Sequence, residues 1–182
     1  MMRFKLDWAK ALEAIDLIAE IRPGITQYYV GKVLFFADRE HFLDYGRPIT
    51  GDKYVAMEHG PVPSFVRDIL KSDSDSPDEI IQAFHDRLIV ERINNLQKLH
   101  SKGVAREQLS GSDISYITES VAEHGSMPFE DLKKKSHQDP AYEAAWLKDG
   151  FNNEMDIGLW LASLEEADAA LNQTREYVAV GC

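Results

Sequence analysis

A predominantly α-helical α+β domain with a small antiparallel β element is what this chain of 182 residues encodes. Three observations predict it. Apolar residues recur at three- and four-residue spacing through most of the chain, the period of a buried helix face. Cap and stop signals bracket those stretches. At residues 53–59 and 87–104 the helical period lapses, and short runs of strand length take its place. The length fits one domain spanning 1–182, and a chain of this size buries about two thirds of its extended surface, so no disulfide or metal is needed for stability.

Asp7 caps a helix from Trp8 to about Ile21, with Leu12, Ile15 and Ile18 on its apolar stripe, and Pro23-Gly24 stops it. Thr26 opens a second helix that reaches about Tyr45 before Gly46. Tyr29, Val33, Phe36 and Ala37 form its stripe, widened by Leu34, Phe35, Phe42 and Leu43, which marks it as the central helix. The two helices should pack through Leu12, Ile15, Ile18, Val33 and Phe36. Asp38, Arg39, Glu40 and His41 gather the polar residues of the second. Residues 47–52 read as a turn region in which Gly46 and Gly51 supply positive φ and Pro48 stiffens the chain. Lys53 to His59 reads as a strand. Gly60-Pro61-Val62-Pro63 is no helix interior, because two prolines remove two donors, and it makes an extended entry to a helix capped by Ser64 and running through Leu70.

Ser72 to Ser76 is a polar loop. Ser76, Pro77 and Glu79 are cap, first-turn proline and capping-box acid for a helix to about Phe84. Arg87 to Ile93 reads as a strand, Asn94-Asn95 as a turn, and Leu96 to His100 or Val104 as a second strand, although Ile93 to Lys102 also fits helix. A two-stranded ribbon is marginal alone, so it must pack on helices or gain the strand at 53–59. Ser110 or Ser112 caps a helix to about His124, with Ile114, Ile117 and Val121 on its stripe and Gly125 at its end. Short helices follow at Phe129 to Ser136 and Pro140 to Leu147, then a turn at Gly150 to Asn153. Ser163, with Glu166, caps a last helix at 163–178.

The net charge of −11 disfavours a phosphate-backbone ligand and suits solubility or a basic protein partner. The single cysteine, Cys182, permits no intrachain disulfide or Cys-based zinc site. The densest apolar run, Val33 to Ala37, is far short of a membrane span, and the N-terminus lacks a signal-peptide pattern, so the chain reads as cytoplasmic. Gly31-Lys32 lacks the other glycines of a phosphate loop, and no Rossmann fingerprint or His-Glu-x-x-His occurs. Asp38 and His41, with Glu40, share a helix face. They form either a metal or acid–base site or the capped, solvent-facing polar end of the helix. His59, His124 and His137 converge only through tertiary folding. Ser64 and Ser126 have no nucleophile elbow around them, and Cys182 sits on a terminus. Tyr28, Trp146 and Trp160 belong either to the core or to an interface.

Three segments occur in order: Val33-Leu34-Phe35-Phe36-Ala37-Asp38-Arg39-Glu40-His41-Phe42, then Tyr45 to Asp52, then Tyr54 to Pro63. Leu109-Ser110 with Asp113, and His137, Pro140 and Ala145-Trp146, follow. Together they resemble the SocA-like, or Panacea, antitoxin-domain family, which includes phage-associated GepA-like proteins. The likeness is clearest over residues 6–150. It implies a mostly helical domain of bacteria and phages that binds and neutralises a cognate toxin protein encoded by the adjacent gene. One branch of the family is similar to a proteolytic adaptor that delivers its toxin to the ClpXP protease. No catalytic residue, metal or cofactor comes with the resemblance, which implies a binding protein and not an enzyme. Neither nucleic acid nor membrane is an expected partner, and a metal-dependent hydrolase is the remaining alternative. The residues matching the family pattern are Asp38, Arg39, Gly46, Arg47, Pro48, Gly51, His59, Gly60, Pro61, Val62, Pro63, His137 and Trp146. They read as a fold-locking corner or as a partner-binding surface.

Overall fold

The computed structural model describes residues 2–71 and 75–161. Helix α1 (Trp8–Ile21) begins where the Asp7 carboxylate accepts the Lys10 N–H at 3.0 Å. A two-residue strand, β1 (Ile25–Thr26), leads into α2 (Gln27–Tyr45), which Gly46 ends in the left-handed conformation at φ 70°. Thr26 stands at the N-cap position of α2, but its hydroxyl makes no capping bond.

Strands β2 (Tyr54–Met57) and β3 (Gly60–Pro63) then form a hairpin. The Ser64 N–H bonds the Lys53 carbonyl at 2.8 Å, and the register pairs Val55 with Val62 and Met57 with Gly60. Ladder bonds therefore fall on residues 60, 62 and 64 of the second strand. Pro61 and Pro63 occupy the alternate positions, whose nitrogens face away from the partner, so the missing donors cost the ladder nothing. This corrects one expectation. The strand near 53–59 does not join the later ribbon; it pairs with the proline segment instead.

Helices α3 (Ser64–Ile69) and α4 (Asp78–Arg87) lead to β4 (Leu88–Ile93) and β5 (Leu96–Ser101), turned through Asn94 at φ 55°. The ribbon gains β1 as its third strand, in the order β1-β5-β4, and all pairs are antiparallel. Helix α5 (Gly111–His124) opens with a full capping box between Ser110 and Asp113. Gly125 closes it in the right-handed conformation at φ −62°, not the left-handed one usual for a glycine cap. Helices α6 (Phe129–His137) and α7 (Pro140–Trp146) follow. The expected helix at 163–178 and Cys182 lie outside the described residues.

The core has two compartments, one on each side of α2. On the first side Leu12, Ile15, Ile18 and Val33 pack with Val66, Phe84, Leu99, Ile117 and Val121. On the second, Phe35, Phe36 and Phe42 pack with Tyr54, Tyr142 and Trp160. Phe36 thus points away from the α1 contact it was expected to share. Trp160 is fully buried, whereas Trp146 is 50% exposed. Ile114 is exposed, and the buried stripe of α5 runs through Ile117 and Val121. Among the described residues no helix is long and apolar enough to cross a membrane.

Candidate functional site

Asp38 is fully buried in α2, so its carboxylate needs partners or a proton. One oxygen accepts the Ile49 and Thr50 N–H groups at 2.7 and 3.1 Å. The other accepts the Thr50 and Tyr54 hydroxyls, both at 2.8 Å. Burial raises its pKa, and those four bonds work against the rise. Asp38 therefore ties the Arg47–Asp52 turn and β2 to the central helix. Gly51 completes the corner: its φ is 69°, and a Cβ would meet the Lys5 carbonyl oxygen at 2.4 Å. Asp52, pushed up to about 6 by burial, accepts the Phe65 and Val66 N–H groups and so caps α3 from outside the helix.

His41 is also buried, contrary to the solvent-facing reading, and it shares no hydrogen-bond partner with Asp38. Its Nδ1 lies 2.9 Å from the Arg47 carbonyl, and its Nε2 lies 3.1 Å from the Ser112 hydroxyl. Asp113 receives Lys10 at 2.9 Å, Arg47 at 3.3 Å and the Ser110 N–H at 2.9 Å. Burial pushes its carboxyl up, but Lys10 and the Ser110 donors win and hold it below the usual carboxylate range. Arg39 reaches Asp139 at 3.1 Å, and Asp139 in turn caps α7 and accepts the Trp160 indole N–H at 3.2 Å. Gly46 makes the tight exit from α2, and Pro48 links it to the residues that Asp38 holds.

The hairpin is fastened from behind. The Lys32 ammonium, on α2 and 1% exposed, donates to the Pro61 carbonyl at 2.7 Å and lies 5.2 Å from the centre of the Tyr28 ring. Burial lowers its pKa to about 7. Gly60 has φ 98°, and a Cβ there would meet Ser136 Oγ at 2.4 Å and Lys32 Nζ at 2.9 Å, so no side chain fits between hairpin and helices. In front of the hairpin lies a cleft of about 520 Å³, lined among others by Tyr28, Met57, His59, Val62, Pro63 and Leu70. His59 is exposed at the hairpin tip, with its ring 5.5 Å from that of Phe129 on α6. It thus meets the neighbouring helix through its ring edge. His137 stacks on Tyr142, and Trp146 lies parallel to the same ring at 6.0 Å. The Tyr142 hydroxyl donates to the Met57 carbonyl at 3.0 Å, tying α7 to the hairpin turn.

The structure therefore brings the sequence-selected residues into three fastenings around α2 and one cleft. It does not bring Asp38, Glu40, His41 and His59 together, and among the described residues no group of three or more His, Cys, Asp or Glu is placed to hold a metal ion. Lys32 was passed over in the sequence as half of a failed phosphate loop. Its signal was a lysine within a helix apolar around nearly its whole girth. The capping role of Asp52 left no local signal, since its helix starts twelve residues later.

A family model described as "Antitoxin SocA-like, Panacea domain" matches residues 30–143, which include the Asp38 corner, the hairpin and the His137 stack. No curated protein and no solved structure matches the chain. The matched span is well over half of the sequence, and the chain belongs to the SocA-like Panacea antitoxin-domain family.

Proposed function

We propose that this protein is an antitoxin that binds a cognate protein toxin stoichiometrically, encoded by the adjacent gene, and neutralises it by occlusion. The match to the antitoxin domain over residues 30–143 carries the reading. The use of the motif side chains supports it. Asp38, Arg39, Arg47 and Asp113 spend their polar atoms on backbone, hydroxyl and charged partners within the fold, as rigidifying groups do. A rigid scaffold limits the ordering cost of binding. The net charge of −11 raises the encounter rate with a basic toxin. Delivery to ClpXP is the competing outcome.

Co-expression with the product of the neighbouring gene tests the reading. The expected result is rescue of growth and a stable complex; a harmless neighbour, or one that stays toxic and uncomplexed, removes it. The neighbour's half-life then separates two mechanisms. An unchanged or longer lifetime means occlusion, and ClpXP-dependent shortening means delivery. Elemental analysis of protein purified without chelator addresses the hydrolase alternative, for which stoichiometric metal lost on His59→Ala would be the signature.

A further inference from the structure

Strand β4 is the outer strand of its sheet, paired only with β5 among the described residues. Its hydrogen-bonding parity follows from one contact. The Lys102 N–H bonds the Arg87 carbonyl at 2.8 Å, and the register runs residue for residue to Ile93 opposite Leu96. Ladder bonds therefore fall on Ile89, Glu91 and Ile93. The N–H and C=O groups of Val90 and Arg92 point outward, and none has a partner among the described residues. Such an edge is a template for another strand.

Beside that edge lies a cavity of about 560 Å³, between β4 and the ends of α3 and α4. Ile69, Ile81 and Phe84 give it an apolar floor, and Leu88, Ile89, Val90 and Arg92 line it from β4. Leu88, Val90 and Arg92 are the residues of outward parity, so a strand added at the edge places every second side chain on their face of the sheet, over the cavity. The rim carries Lys71, Arg92 and Lys102, and no carboxylate is among the described lining residues, although Lys71 pairs with Asp68 at 3.1 Å and Lys102 donates to the His85 carbonyl. Arg92 has no carboxylate partner among the described residues. Arg92 and Lys102 thus leave a small cationic rim on a chain of net charge −11. It also disfavours a second copy of the chain at the same edge, because two-fold pairing would set this rim against itself. Leu70 and Lys71 line both this cavity and the motif cleft, so the two make one continuous surface.

We propose that β4 is a docking edge for an extended segment of the partner protein that carries apolar and acidic side chains on one face, adds to the sheet as a fourth strand, and sets a carboxylate against Arg92 at the rim of the apolar floor. This rests on the antitoxin reading for the identity of the partner, but not for the chemistry of the edge. The test uses the full chain and a labelled nine-residue peptide, Val-Thr-Glu-Thr-Val-Thr-Glu-Thr-Val, which carries valine and glutamate on one face of a strand, with lysine in place of glutamate in the control. The acidic peptide should bind at least tenfold tighter than the basic one and protect the Val90 and Arg92 amides from hydrogen exchange. Val90→Pro removes an outward N–H that the ladder does not use, so it should weaken binding at least tenfold with the melting temperature little changed. Arg92→Glu should abolish the preference for the acidic peptide and serves as the second variant if the proline chain fails to fold. Absence of binding to the native chain, no added protection at Val90 and Arg92, or equal binding by both variants would overturn the proposal. So would sedimentation showing a native dimer that Val90→Pro dissociates, since the occupant would then be a second copy. In the co-expressed complex, unprotected Val90 and Arg92 refute this edge and leave the antitoxin reading standing. A neighbour that forms no complex while the peptide binds has the opposite meaning.

Discussion

Replacing Lys32 with Met tests how the hairpin is held, because it keeps the length of the side chain and removes the charge. Lys32 titrates near 7 in the folded protein, against 10.5 for an ordinary lysine, because it is buried. The Pro61 carbonyl and the Tyr28 face favour the charged form and offset part of that cost. Between these two values the unfolded chain binds more protons than the folded one, so this group makes stability rise with pH, by about 1.4 kcal/mol per unit. From pH 7 to pH 9 the native protein should therefore gain about 2–3 kcal/mol that Lys32→Met does not. The variant also leaves the Pro61 carbonyl unpaired, a penalty of about 1–3 kcal/mol that does not depend on pH. The sign of the difference at one pH mixes both effects, and its slope isolates the first. The Lys32 charge helps to lower the His137 pKa, so that imidazole titrates below pH 6.5 in the native protein and the slope is read from pH 7 to 9. Urea unfolding of the pair at pH 6, 7, 8 and 9 is the assay. Parallel stability curves for native protein and variant would refute the reasoning and mean that Lys32 is not a buried, titrating charge.

Phe36→Ala removes a nearly buried ring that stacks on His124 at 4.1 Å, and should cost about 3–5 kcal/mol in thermal unfolding; a loss below about 1 kcal/mol would take Phe36 out of the core. Gly60→Ala combines positive φ with a clash against Ser136 and Lys32 and should lower the urea midpoint strongly. Gly111→Ala, in a helix with nothing within 4 Å of its Cβ, should leave the midpoint unchanged or raise it. Equal responses from these two glycines would argue against the close approach at the hairpin. Asp52 titrates near 6 folded and 3.8 unfolded, so its contribution to stability is complete below pH 4 and is lost as pH rises through 6. Native protein should lose about 2–3 kcal/mol over that window relative to Asp52→Asn, read from urea midpoints at pH 4 and 6.5; a variant that tracks the native curve would sink the assignment.

The helices were legible because their signals are local. Asp7, Ser110 with Asp113, and Gly46 each act within a turn of the helix they bound, and a 3.6-residue period needs no tertiary information. The β4–β5 ribbon was legible for the same reason, through Asn94 and two short apolar runs. What failed was partner choice. The strand at Tyr54–Met57 was expected to share a β element with the ribbon, and the proline segment beside it read only as an extended entry to the next helix. Its two prolines fit a paired strand because they fall on alternate residues of the right parity, which the register decides and composition does not. The direction of Phe36 was lost in the same way. A helix apolar on both sides has no single stripe, and the chain alone does not say which compartment each aromatic enters.

The polar residues of the motif invite a catalytic reading because charged groups on an apolar helix are costly unless they are used. Here the use is architectural. Asp38 satisfies four donors from a turn and a strand and ties both to α2, Lys32 closes the hairpin against α2, and His41 accounts for both ring nitrogens on separate partners. A buried charge with its partners in place tolerates one backbone arrangement and penalises the rest, which is how polar groups specify a fold even when they add little net stability. Residues of this kind become legible in a sequence before the surface they support does. The binding groups proposed here, the outward amides of Val90 and Arg92, are backbone atoms that any residue except proline would supply. Side-chain identity says little about them, and only strand order and register bring them to notice.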